Sequence, residues 1–115
     1  MPKNTSGALP LTESTFLIML SLAPQARHGY AIMQDVEDIS EGRVQLSTGT
    51  MYGALRRLLA DGWIERVPTD EVEVAIDGRN QKFYRLTPTG EAILGAELDR
   101  LKQLIEVGEL RRSSL

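Results

Sequence analysis

The residues best suited to chemistry in this chain lie close together, between positions 47 and 57. They carry hydroxyl or guanidinium groups: Ser47, Thr48, Thr50, Tyr52, Arg56 and Arg57. Such groups donate hydrogen bonds to phosphate oxygens and to the edges of nucleic-acid bases. Gly53 stands among them, although a glycine inside a helix costs about 1 kcal/mol relative to alanine. A position without a side chain lets a DNA strand come close, and the segment therefore predicts a DNA-binding surface.

A second basic stretch supports this interpretation. Residues 78–87 hold three bases and no acid, and two of them, Arg79 and Lys82, are predicted to contact DNA phosphates. Residues 34–41, in contrast, hold four acids and no base. The net charge of the 115-residue chain is -3, and that sum alone argues against nucleic-acid binding. Segregated charge still focuses a local field, and so its distribution matters more than the sum.

Other kinds of chemistry lack the residues that they need. The chain has no cysteine and one histidine, which excludes disulfides, iron–sulfur clusters, thiol nucleophiles and imidazole-rich metal sites. His28 could be drawn into a triad with Asp35 and a serine, but no nucleophile elbow accompanies it, and we expect it to cap a helix. The acids of residues 35–41 are expected to form a solvated face. We therefore predict no enzyme activity, no cofactor and no metal.

Nothing in the sequence directs the chain to a membrane. No apolar run approaches the roughly 20 residues that a membrane span needs. The first ten residues, MPKNTSGALP, contain no apolar signal core. The sequence therefore predicts a cytoplasmic protein.

Three short helices are predicted to position the residues named above. Thr12 caps a helix from about Glu13 to Ala23, and residues 30–39 form a second helix. Ser47 caps a third helix over residues 48–61, which Gly62 ends. Residues 1–10 are predicted to be a flexible arm.

The pattern then changes to strands. Residues 63–67 and 82–86 are predicted as two strands, with Val72, Val74 and Ile76 alternating between them and Asp77-Gly78 as a turn. Thr87 caps a last helix that reaches at least Val107, and residues 109–115 are expected to fray. The fold class is mainly α with a small β-hairpin: a winged helix-turn-helix over 11–87 and a C-terminal dimerisation helix over 88–108. In such a module the third helix enters the major groove.

The last helix carries an apolar seam. Leu94, Leu98, Leu101 and Ile105 have the 4-3-4 spacing of a coiled coil. Phe16 and Leu20 belong to a first helix that is apolar nearly all the way round. Since this is more apolar surface than a small monomer can cover, we predict a homodimer with two-fold symmetry, whose recognition helices lie roughly 34 Å apart.

Several segments together resemble the PadR family of transcriptional regulators. They are LTESTFLIMLSLA, HGYAIM, GRVQLSTGTMYGALRRLLADGWIE and KFYRLTPTGEAIL, which span about residues 11–105. The resemblance implies a homodimeric winged-helix repressor of the compact branch, with one C-terminal helix. Its third helix and wing would bind a palindromic operator, and its last helix would pack against the partner's first helix.

The sequence departs from the family in two places. Some compact members bind flat hydrophobic drugs on aromatic residues of the C-terminal helix, but residues 88–115 contain no aromatic side chain. A small hydrophobic effector would instead have to enter near Phe16, Leu20, Leu98 and Leu101. Trp63 stands where the family has leucine, and we expect it to cap the core between the third helix and the sheet.

Two functions remain open at this point. The first is an operator-binding repressor, which the basic residues of the third helix and the family resemblance favour. The second is a winged-helix module that binds a protein and not specific DNA, which the net charge of -3 favours.

Overall fold

The computed structural model describes residues 6–68 and 82–114, and this part of the chain is mainly helical with a small antiparallel sheet. Its elements follow in this order: a 3-10 turn at Ser6–Ala8, α1 (Glu13–Leu22), β1 (Arg27–His28), α2 (Gly29–Ile39), α3 (Thr48–Ala60), β2 (Ile64–Arg66), β3 (Phe83–Leu86) and α4 (Pro88–Ser113). The predicted fold class is confirmed.

Side-chain caps determine where the helices begin. The hydroxyl of Ser47 accepts a hydrogen bond from the backbone N–H of Thr50 at 3.1 Å, at the start of α3. Thr12 and Thr87 cap α1 and α4 in the same way. The ring nitrogen Nδ1 of His28 accepts the N–H of Ala31 at 3.3 Å, at the start of α2. The capping roles predicted for these residues are confirmed.

The sheet has one strand more than the sequence predicts. Its described strands lie in the order β1-β3-β2, with β3 antiparallel to both neighbours. The sequence predicts a tight connection over residues 24–29, and this is wrong for Arg27 and His28, which pair with Tyr84 and Phe83. His28 has an extended backbone because it caps α2. That extended backbone satisfies the edge of β3, which would otherwise stay unpaired.

The tip of the predicted hairpin lies outside the described residues. This applies to Val72, Val74 and Ile76 and to the Asp77-Gly78 turn. The two strands at the base of the hairpin are present, and Ile64 lies opposite Leu86 in their ladder.

One hydrophobic core joins α1, α2 and α3 to the sheet and to the first turns of α4. Its most completely buried apolar side chains are Ile18, Met19, Ile32, Val36, Met51, Leu55, Leu58 and Ile64. Trp63 is half-buried against this core, which confirms the place expected for it. A Cβ atom at Gly90 would lie only 1.9 Å from the carbonyl oxygen of Trp63. Glycine therefore lets the start of α4 pack directly against the backbone that precedes β2.

The N-terminal arm differs from the prediction. A flexible arm is expected over residues 1–10, but Ser6–Ala8 form a 3-10 turn in the structure. Ala8 and Leu9 pack against the core. Burial of these apolar side chains lowers the free energy of the folded chain. The many polar residues of the segment make this contribution hard to recognise in the sequence.

The C-terminal end differs as well. Fraying is expected from residue 109, whereas α4 continues to Ser113. Residues 109–113 contain neither proline nor glycine, and Arg111 and Arg112 complement the helix dipole in the last turn. None of the helices in residues 6–68 and 82–114 is long and apolar enough to span a membrane. The same residues contain no group of three or more histidines and acids that could hold a metal ion.

Candidate nucleic-acid interface

The predicted contact residues of α3 share one accessible side of the helix. Met51, Leu55 and Leu58 are buried in the core. From the cap to Arg57, the exposed residues are Ser47, Thr48, Gly49, Thr50, Tyr52, Arg56 and Arg57. The helix is thus anchored by its apolar side, and its polar side is free to meet a partner.

The hydroxyl groups at the start of α3 do not all remain available. Ser47 accepts from the backbone of Thr50 and also donates to the side-chain oxygen of Thr50 at 2.9 Å. Ser47 is therefore occupied by its capping role. The hydroxyl hydrogen of Thr50 remains for another acceptor. Thr48 is exposed beside it and has no side-chain hydrogen bond within the described residues.

Gly53 leaves open space on the same helix. A Cβ atom at this position would meet only one guanidinium nitrogen of Arg56, at 3.9 Å. Among the described residues, no packing against another helix requires a glycine here. The structure thus places the open position on the side where the sequence predicts a close approach by DNA.

The ion pairs separate the basic residues into two groups. Each of four arginines pairs with an acid: Arg27 with Asp35, Arg43 with Glu13, Arg85 with Glu65, and Arg100 with Glu97. Four cations on or near α3 have no ion pair or hydrogen bond among the described residues: Arg56, Arg57, Arg66 and Lys82. The other unpaired bases of the described chain lie on α4: Lys102, Arg111 and Arg112. No acid within residues 6–68 and 82–114 therefore neutralises this positive charge around α3.

A cleft of about 530 Å³ opens between α3, the start of α2 and the sheet. Three of the unpaired cations line this cleft: Arg56 of α3, Arg66 of β2, and Lys82, which immediately precedes β3. Its other lining residues are His28, Gly29, Tyr30, Tyr52, Leu55, Leu59 and Tyr84. No acid lines this cleft among the described residues.

Two residues of the cleft are absent from the predicted site. Arg66 follows Ile64 by two positions, and since strand residues alternate, both side chains lie on the face towards α3. The alternation along residues 64–66 could therefore have placed Arg66 in the predicted site. Tyr30 lines the cleft because α2 begins at Gly29, and the sequence offered no signal for that proximity. Arg79, which the sequence places in the site, lies outside the described residues.

The predicted dimer residues fall into two groups. Leu94 is 5% exposed and belongs to the core of its own chain, so it is covered before any partner arrives. Leu98 and Ile105 are 39% and 58% exposed. Leu101, Phe16 and Leu20 are partly exposed. Further along α4, three apolar residues that the seam does not include are also exposed: Leu104, Val107 and Leu110.

Sequence reasoning missed the role of Glu97. Its side chain is only 2% exposed, and one carboxylate oxygen accepts the backbone N–H of Leu11 at 2.8 Å. The other oxygen accepts from the guanidinium of Arg100. The hydrogen bond from Arg100 lowers the pKa of Glu97, against the effect of burial, and the bond from Leu11 lowers it further. Glu97 thus ties the segment before α1 to the middle of α4.

This fold, with an exposed basic third helix beside a small sheet, defines a winged helix-turn-helix protein. The family model of the transcriptional regulator PadR-like family matches residues 18–96. The chain belongs to this family, which consists of transcriptional regulators and not of enzymes.

Several known transcriptional regulators are similar to the chain over more than half of its length. The transcriptional regulator Rv3488 of Mycobacterium tuberculosis is 37% identical over 68 residues, which make up 59% of this chain and 59% of that protein. A PadR family transcription regulator from Clostridium difficile R20291 superposes with a TM-score of 0.69 at 24% identity, covering 86% of this chain and 97% of that one. Bacillus subtilis PadR in complex with operator DNA gives a TM-score of 0.59 at 22% identity, covering 73% and 46%.

Proposed function

We propose that this chain is a DNA-binding repressor that recognises a palindromic operator as a homodimer. The observation that carries the proposal is the group of four cations on and near α3 that no acid of the described chain neutralises. Unpaired cations on one surface attract a polyanion. Operator DNA is the ligand in the structure of Bacillus subtilis PadR. The proposal places the protein in the cytoplasm, the compartment that holds such DNA.

The N-terminal half of α3 would enter the major groove. The free N–H groups and the dipole at this end of the helix favour phosphate oxygens. Arg56 and Arg57 would contact guanine edges or phosphates, with Thr50 and Tyr52 beside them. The open position at Gly53 would let the strand or a base edge approach the helix backbone.

The homodimer would form through α4 and α1. From Lys102 onwards every described residue of α4 is exposed, and 12 residues at 1.5 Å each make an overhang of about 18 Å. Leu98 and Leu101 lie just before this overhang and Ile105 lies within it, and the three residues share one side of α4. On α1, Phe16 and Leu20 form a partly exposed apolar stripe. The exposed end of α4 in each chain would cover the apolar stripe on α1 of its partner. Two-fold symmetry would then repeat the same contact on both sides of the dimer.

A small hydrophobic effector would act at the same contact. The surfaces near Phe16, Leu20, Leu98 and Leu101 are aliphatic apart from one phenylalanine. α4 offers no aromatic ring for stacking. An effector entering there would change the angle between the two chains and so the distance between their recognition helices.

The test is a titration of the purified protein against the DNA upstream of its own gene. We expect a shifted complex that survives competition by unrelated DNA, and a dissociation constant that rises steeply with salt because phosphate contacts release counterions. The alternative is a module that binds a protein, which the net charge of -3 favours. Equal, weak binding to all DNA would exclude the repressor and favour that alternative.

A further inference from the structure

We infer that the ion pair between Arg43 and Glu13 is a positioning contact that sets how α3 meets the operator. Arg43 lies in the connection between α2 and α3, and Glu13 is the first residue of α1. The pair acts through α3 and not by touching DNA. Because operator DNA is the partner, this role rests on the proposed function.

The connection between α2 and α3 is long. Residues 40–47 separate Ile39, the last residue of α2, from Thr48, the first residue of α3. A helix-turn-helix usually joins its two helices through about three or four residues. Leu46 is the only buried residue of the connection. A long and mostly exposed connection leaves the start of α3 free to shift unless a further contact holds it.

The pair between Arg43 and Glu13 supplies that contact. The terminal nitrogens Nη1 and Nη2 of Arg43 donate to the oxygens Oε1 and Oε2 of Glu13. A bidentate pair of this kind fixes orientation as well as distance. Among the described residues, no other hydrogen bond or ion pair of the connection reaches beyond the two helices that it joins. The pair therefore fixes the exposed middle of the connection relative to α1.

Glu13 lies at a part of α1 that is itself held in place. The hydroxyl of Thr12 caps α1 by accepting the N–H of Thr15 at 3.3 Å. The backbone N–H of Leu11 donates to the buried carboxylate of Glu97 on α4 at 2.8 Å. The start of α1 is thus tied to α4 as well as to the connection before α3. The ion pair therefore anchors the connection to a fixed point of the fold.

The exposure of the pair argues against a role in stability alone. The side chains of Arg43 and Glu13 are 62% and 53% exposed, and ion pairs as exposed as these add little to the free energy of folding. Their geometric effect falls on the residues that follow in the chain, where Ser47 caps α3. A shift of Arg43 would displace the end of α3 that the proposed function inserts into the major groove.

The experiment compares Glu13→Gln, Arg43→Gln, the double variant and the control Asp38→Asn by fluorescence polarisation, with the upstream operator and an unrelated duplex as probes. Asp38 is an exposed acid of α2 whose side chain accepts from Gln34 of the same helix. Its replacement removes the same charge as Glu13→Gln and leaves the ion pair intact. Melting temperatures are measured for every variant.

Glu13→Gln should weaken operator binding by about two- to thirtyfold, the usual range for residues that act through a network of contacts. Removal of an acid by itself favours DNA binding, so this loss would report a change in position and not in charge. Glu13→Gln and Asp38→Asn should bind the unrelated duplex equally, with melting temperatures near that of the wild type. The double variant should lose no more operator affinity than Arg43→Gln, because both changes break one contact.

Three results would overturn the inference and leave the proposed function standing. The first is operator affinity in Glu13→Gln that equals or exceeds that of Asp38→Asn; a loss in Arg43→Gln alone would then mark Arg43 as a direct DNA contact. The second is an equal loss on both duplexes with a much lower melting temperature, since the pair would then serve stability. The third is additive losses in the double variant. No operator binding by the wild type would mean that the proposed function itself fails.

Discussion

At the scale of single residues, hydrogen bonding separates the polar groups that the fold uses from those that it leaves free. The sequence predicts Ser47 as a DNA contact and His28 as a helix cap, and in the structure both side chains accept a backbone hydrogen bond as helix caps. The guanidinium groups of Arg56 and Arg57 have no partner among the described residues. A residue type alone does not distinguish these cases, because a serine at a helix start serves equally well as a cap or as a contact.

Arg57→Ala is expected to weaken operator binding and to leave the fold intact. Loss of one good base contact costs about 1–3 kcal/mol of binding free energy, and an exposed arginine without partners contributes little to stability. The measurement is operator affinity alongside the melting temperature, with Lys102→Ala as the control for charge. Wild-type affinity in both Arg57→Ala and Arg56→Ala would remove these residues from the interface.

Gly53→Ala should separate stability from binding. An added methyl group finds open space, and alanine in a helix is more stable than glycine by about 0.5–1 kcal/mol. The melting temperature should rise while operator affinity falls. Gly95→Ala is the matched control, since Gly95 is also helical with open space around it, and it should raise stability alone. If Gly53→Ala binds the operator as tightly as the wild type, no close approach occurs at this position.

At the scale of elements, the sequence predicts most of the fold because its signals are local. The caps of α1, α3 and α4 are each a hydroxyl residue before an apolar period, and each lies where expected. β1 could not be predicted, since two residues have no period and their pairing depends on β3, which is distant in sequence. Arg66 and Tyr30 meet in the cleft only through tertiary packing, and for that reason part of the site escaped prediction as well.

The role of Glu97 depends on the fold, because its contact with the backbone of Leu11 joins residues that are distant in sequence. Its pKa is lowered in the folded state, mainly by Arg100. A carboxylate with a lowered folded pKa stabilises the protein above its ordinary pKa, and this stability is lost as the pH falls through the folded value. Glu97→Gln should cost about 1–3 kcal/mol near neutral pH through loss of the charged hydrogen bond.

The pH dependence of this variant checks the assignment. The free energy of unfolding of Glu97→Gln should fall less than that of the wild type between pH 6 and pH 3, at one protein concentration. Glu106→Gln changes an exposed acid on the same helix and should behave as the wild type. Parallel pH curves for Glu97→Gln and the wild type would show that the buried carboxylate does not contribute to acid stability.

At the scale of the whole molecule, α4 carries more apolar surface than its own chain covers. The core ends near Leu94, while exposed apolar residues continue to Leu110. A helix that continues past the hydrophobic core of its chain with an exposed apolar side is typical of chains that associate. The sequence predicted this from the 4-3-4 seam, but it did not show that Leu94 is already used inside the chain.

Replacement of Leu98 and Leu101 by aspartate tests this surface. In a dimer interface an unpaired buried charge costs several kcal/mol, so the double variant should sediment as a monomer and lose operator binding. Gln103 lies on the opposite side of α4 and is exposed. Gln103→Asp should therefore remain dimeric. A double variant that stays dimeric and binds the operator would place the interface elsewhere.

The number of chains on one operator duplex tests the central claim most directly. It can be measured by native mass spectrometry or sedimentation on a duplex that contains the upstream palindrome. The account predicts two chains per duplex, bound to half-sites whose centres lie about one helical turn apart, roughly 34 Å. A complex with a single chain, or no complex with this duplex at protein concentrations that saturate unrelated DNA, would contradict it.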